Sequence, residues 1–104
     1  MAWIVLVVSG MFEAVWATAL GKSEGFTRLV PSVVFVLGML VSMGGLAYAM
    51  RDLPTGTSYA VWVGIGAVTT AGYAMAFDGE AAGALKILLL LGIVGCVMGL
   101  KLVE

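Results

Sequence analysis

One carboxylate stands where carboxylates are expensive. Glu13 interrupts the apolar run 2–20, about two residues past its midpoint, so roughly 3 Å from the centre of a bilayer at the helical rise of about 1.5 Å per residue. A charge at that depth costs at least about 2.5–3.5 kcal/mol on insertion scales. The cost falls when a proton or a cation neutralises the group. Both compete for the same oxygens, and that competition is the simplest basis for exchange. The alternative is a permanently protonated Glu13 that joins helices by hydrogen bonding, as polar side chains do in lipid.

Positions three and four apart share a helical face. Ser9, Gly10, Glu13, Trp16 and Ala17 form one stripe, so Ser9 and Trp16 are expected to border the carboxylate with a hydroxyl and an indole N–H. In the second run Gly38, Met39, Ser42 and Gly45 share a stripe; in the third, Tyr59, Trp62, Val63 and Gly66 do. Tyr59 and Trp62, at i and i+3, can wall a cation site, because desolvated aromatic faces attract cations by up to about 2 kcal/mol. Membrane-interface placement is the competing reading for tryptophan and tyrosine. It suits Trp3 and Tyr48, suits Trp16 and Trp62 poorly, and competes evenly for Tyr59.

The elements that must position these groups follow from hydropathy. Of 104 residues, 62% are hydrophobic and 11% are charged, against roughly 45–50% and 25% in soluble domains. Four runs are long enough to cross a bilayer, at 2–20, 29–50, 55–76 and 84–102, since about 20 apolar residues suffice. The expected fold is therefore an all-α integral membrane protein, residues 1–104 forming one four-helix transmembrane domain with short loops. Pro31 suits a first helical turn, and Leu53-Pro54 breaks the chain before the third run. A secretory signal is a poor fit to residues 1–20, since no Lys or Arg precedes the run and Glu13 interrupts it.

Gly64 and Gly66 mark a weak point at which the third helix can bend. Gly92, Gly95 and Gly99 give the fourth helix the small-residue spacing of a dimerisation face. If all four runs span, one side of the membrane holds Arg51 and Lys101 and the other holds Lys22, Arg28 and Lys86. That near-balance leaves orientation underdetermined by the Lys/Arg rule, which favours insertion both ways up with opposed copies pairing. The alternative is a single orientation set by a weak bias or a partner subunit.

Several functions are disfavoured. Net charge is −1 with no basic cluster, which argues against a nucleic-acid partner. There is no histidine, Cys96 is the sole cysteine, and no nucleophile–base pair, metal-ligand set or phosphate loop is visible. Neither an enzyme nor a cofactor is expected.

The chain resembles the small multidrug resistance family over nearly its whole length. The resemblance is carried by Phe12-Glu13-Ala14-Val15-Trp16, Glu24-Gly25-Phe26-Thr27-Arg28 before Pro31-Ser32, Leu53-Pro54-Thr55-Gly56-Thr57-Ser58-Tyr59-Ala60-Val61-Trp62, Gly64-Ile65-Gly66 and Gly99-Leu100-Lys101. It implies an antiparallel, dual-topology homodimer in a bacterial inner membrane, in which the two copies of Glu13 share one alternating-access site for substrate and protons. Trp16 resembles the guanidinium-exporter subtype, where quaternary-ammonium exporters tend to carry glycine. Gly38, Met39, Ser42, Tyr59 and Trp62 match positions lining or supporting the guanidinium site, and Ser42, Trp16 and Tyr59 are expected to fix the carboxylates.

The implied function is proton-coupled export of guanidinium-like cations. The alternatives are a broad quaternary-ammonium exporter, one half of a heteromeric pair, or a non-transporting membrane subunit. Three stretches depart from the family pattern: Gly21-Lys22 at the end of the first run, Met43-Gly44-Gly45, and Phe77-Asp78-Gly79-Glu80-Ala81. The second is expected to widen a portal between helices.

Overall fold

Each apolar run becomes a helix long enough to cross a bilayer. In a computed structural model that describes residues 1–103, the helices are α1 (Ala2–Lys22), α2 (Leu29–Ala49), α3 (Thr55–Phe77) and α4 (Ala84–Val103). At 20 to 23 residues each, they match a hydrocarbon core of about 30 Å at about 1.5 Å per residue. Breaks fall where local chemistry demands. Ser23 closes α1 by donating its hydroxyl to the Leu20 carbonyl at 2.7 Å and accepting from the Phe26 N–H at 3.2 Å. Pro54 caps α3 from outside it. Gly79, at φ 73°, turns the chain back so that the Glu80 N–H reaches the Ala74 carbonyl at 3.1 Å.

The packing order differs from the chain order. α1 lies between α2 and α3, which scarcely touch each other, and the backbone of α4 approaches α3 alone. Buried Leu6, Leu46, Ala49, Val61 and Trp62 form the core where the start of α1, the end of α2 and the start of α3 meet. Small residues set the helix separations: Gly10 lies under Ile65 and the Trp62 carbonyl, and Gly64 lies under Val97. The chain forms a slab of 41 × 34 × 17 Å, too thin for helices about 10 Å across to enclose a central cavity. No residue of α4 is buried.

Cation–aromatic pairs mark one edge of the slab. Lys101 lies over the Trp3 ring at 5.8 Å, and Arg51 lies over Tyr48 at 5.7 Å, the arrangement expected at a membrane–water interface. At the other edge Lys22 binds Asp78 at 3.3 Å and lies over Tyr73 at 5.9 Å.

Candidate functional site

Glu13 points from α1 towards α3, and Gly66 makes room for it. A Cβ on Gly66 would fall onto the Glu13 carboxyl group and lie 2.7 Å from the Glu13 Cβ. Only glycine allows α3 to come this close. The Glu13 Oε1 atom is buried and has no hydrogen-bond partner within the protomer. Unpaired buried polar atoms are costly in a low-dielectric site, so this oxygen is poised to take a proton or a cationic donor.

The carboxyl group opens onto a trough of about 390 Å³ between α1 and α3. Ala17 borders it on α1; Val63, Ala67, Thr70, Ala71 and Ala74 line it on α3; Glu80 stands in the loop beyond. The sequence reading did not find Ala67, Thr70 or Glu80. The available signal was the run of small residues after Val63 at three- and four-residue spacing, ending near an acidic loop.

Ser9, Ser42 and Trp62 meet in a separate buried network. The Ser42 hydroxyl donates to the Ser9 carbonyl at 2.6 Å and accepts from Trp62 Nε1–H at 3.1 Å. The Ser9 hydroxyl donates back to the Leu6 carbonyl at 3.0 Å. This network ties α1, α2 and α3 together one turn from Glu13, and makes no hydrogen bond to the carboxylate. Its donors are committed within the protomer. Ser9 also occupies the space over Gly45, whose added Cβ would lie 2.5 Å from the Ser9 Cβ. Of the two glycines in the Met43-Gly44-Gly45 stretch, therefore, only Gly44 leaves open space.

Trp16 turns to the other neighbour of α1. Its Cβ lies 3.2 Å from the position a Gly38 Cβ would take, and its ring meets Phe35 edge-on at 5.9 Å. Its Nε1 is buried without a partner. Met39 is half-buried on α2. Tyr59 is 55% exposed and packs on Trp62 at 5.9 Å with planes 36° apart, forming the paired aromatic face expected of positions 59 and 62. The fold thus holds Glu13 and Gly66 together, Ser9, Ser42 and Trp62 together, and Trp16 with Gly38. It does not bring these three groups into one first-contact shell.

The Gly64–Gly66 stretch lies within unbroken α3. Thr69 shares its hydroxyl between the Ile65 and Gly66 carbonyls at 2.7 and 3.2 Å, a back-bond of the kind that loosens and bends helices. Gly92, Gly95 and Gly99 have open space where their Cβ atoms would be. A second cavity of about 400 Å³ lies between α1 and α2, bounded by Thr18, Lys22, Val30, Pro31 and Val34. Ala14 and Val15 line it as well, and Glu13 does not.

The sequence matches a known protein family and several known proteins. The profile of the Small Multidrug Resistance protein family matches residues 1–94. The sequence is 51% identical to a guanidinium exporter of Proteus vulgaris over 98% of both chains. It is 50% identical to a guanidinium exporter of Yersinia pestis, again over 98% of both. To a guanidinium exporter of Escherichia coli (strain K12) it is 50% identical, over 98% of this chain and 97% of the relative.

Proposed function

This chain belongs to the small multidrug resistance family of multi-pass inner-membrane transporters, and from that premise we propose that it exports guanidinium and small guanidinyl cations in exchange for protons. The carrying observation is the buried Glu13 oxygen without a partner, set over Gly66 at the floor of an otherwise uncharged stretch of trough. Guanidinium is planar and rich in N–H donors, so it pairs with a carboxylate through two parallel hydrogen bonds. A proton neutralises the same oxygens. Binding one therefore expels the other, and the transmembrane gradient decides the direction.

The working unit is an antiparallel homodimer in which both copies of Glu13 serve one shared site. Three features support that reading. The two loop sides carry nearly equal Lys and Arg, the slab is too thin to enclose a site by itself, and α4 leaves Gly92, Gly95 and Gly99 uncovered. Alternating access follows when the two protomers exchange shapes, with α3 bending at Gly64–Gly66 where Thr69 loosens the helix. Ser42 and Trp62 act as supports, holding the three helices in register beneath the cation. Trp16 and Ser58, each with a buried polar atom left unpaired in the protomer, supply further donors for the assembled site.

The test is electrical recording from purified protein on solid-supported membranes, at two pH values. Guanidinium should evoke currents that depend on the proton gradient, and Glu13→Gln should abolish them while leaving the helical content unchanged. Substantial gradient-driven guanidinium uptake by Glu13→Gln defeats the proposal, as do parental currents evoked by tetraalkylammonium ions and not by guanidinium.

A further inference from the structure

We infer that Glu80 forms an outer cation subsite at the mouth of the Glu13 trough, occupied in the resting protomer by the ammonium group of Lys86 and taken over by guanidinium during transport. The inference rests on the guanidinium reading of Glu13 and deepens it. Glu80 and Glu13 border the same trough. The α3 wall between them runs from Gly66 to Ala74, eight residues or about 12 Å of helix. That wall carries small side chains and one hydroxyl, Thr70. Low-dielectric walls with a like charge at each end concentrate the field and raise the local concentration of a cation.

The geometry at the mouth separates Glu80 from its acidic neighbour. Asp78 is held by Lys22 at 3.3 Å. Glu80 is held by Lys86 at 2.7 Å, and the same ammonium donates to the Ala81 carbonyl at 3.1 Å. Lys86 and Glu80 are 37% and 55% exposed, and exposed pairs of this kind hold weakly. The pair is built like a cation site with a tethered occupant. A free guanidinium, which forms two hydrogen bonds to a carboxylate where ammonium offers a point charge, is a competent replacement. The backbone fixes the carboxylate in place, because left-handed Gly79 and the Glu80 N–H bond to Ala74 direct this segment back towards α3.

The experiment measures guanidinium-chloride-driven proton flux in proteoliposomes for the parent, Glu80→Gln and Glu80→Asp, at about 10 mM and about 500 mM salt, where the screening length drops from about 30 Å to a few ångströms. Glu80→Gln should raise KM about three- to tenfold at low salt, in the range of electrostatic steering effects, and leave kcat alone. The difference should vanish at high salt, and Glu80→Asp should restore most of the parental KM. A Glu80→Gln KM equal to the parent's at low salt overturns the subsite while leaving the Glu13 reading intact. A loss of kcat that Glu80→Asp does not rescue also overturns it, since that is the signature of a damaged loop. A parent protein giving no guanidinium-driven flux removes both readings together.

Discussion

Gly66→Ala tests the site at its tightest point. The new methyl group would fall on the Glu13 carboxyl group, which can rotate away, but it would also lie 2.7 Å from the Glu13 Cβ, which cannot. Ordinary contact begins at 3.4 Å, so the backbones of α1 and α3 must part by at least the difference, 3.4 − 2.7 = 0.7 Å. Overpacking of this order costs about 1–3 kcal/mol. Replacing glycine by alanine within a helix returns about 0.5–1 kcal/mol. The net loss of stability is therefore small, and thermal unfolding is a poor reporter. Transport is the better one. Displacing a reacting group by about 1 Å can cost about 100-fold, so a loss of at least about tenfold in guanidinium-driven proton flux is expected in proteoliposomes. Gly56→Ala, on the same helix with open space around its Cβ, should transport at the parental rate. If Gly66→Ala matches the parent in both rate and KM, the close packing of α3 on the carboxylate has no part in the chemistry and the site as described is wrong.

Other expectations are narrower. Ser42→Ala leaves Trp62 Nε1–H buried without its partner and removes the second bond to the Ser9 carbonyl, at about 1–3 kcal/mol for the orphaned buried donor; a lower unfolding midpoint in detergent should accompany modest loss of guanidinium affinity, and an unchanged midpoint contradicts the network's structural role. Gly44→Tyr fills open space on α2 and should impair transport of alkylated guanidiniums more than of guanidinium, whereas equal effects on both would remove the portal idea.

The fold was legible because it depends on hydropathy and on a few breakers. The runs at 2–20, 29–50, 55–76 and 84–102 correspond to helices whose ends differ by no more than two residues, since the proline at 54 and the Ser23 and Gly79 turns set boundaries locally. Glu13 stands out in the sequence for a different reason: a carboxylate deep in an apolar run has no cheap structural use. The neighbours of each face were not. Glu13 and Trp16 are three apart and share a stripe, which suggested a common pocket. α1 is the middle helix, however, and within a single stripe Glu13 turns to α3 while Trp16 turns to α2. Helical periodicity gives the azimuth of a residue, and only the packing order gives its partner. In lipid, moreover, outward faces are as apolar as inward ones, so the usual contrast between buried and exposed residues is lost. Thr70 and Glu80 went unnoticed because each is ordinary alone; what joins them is the return of the chain at Gly79 to the trough that begins at Glu13.

The antiparallel pairing proposed above would give the unpaired polar atoms their missing partners. Glu13 Oε1, Trp16 Nε1 and Ser58 Oγ are each buried without a partner in a slab 17 Å thick. In a water-soluble domain of this size such atoms would attract solvent or be replaced. Within lipid each costs free energy until a donor or acceptor arrives. The Ser9–Ser42–Trp62 network meanwhile satisfies itself wholly within one protomer. The division has a mechanical consequence. Helix register is fixed by hydrogen bonds within the chain, while the buried atoms of Glu13, Trp16 and Ser58 remain uncommitted. On the proposed reading, a substrate cation meets a carboxylate oxygen that has no internal bond to give up, and a proton meets the same oxygen on the same terms. Exchange between the two then costs only the difference in their binding.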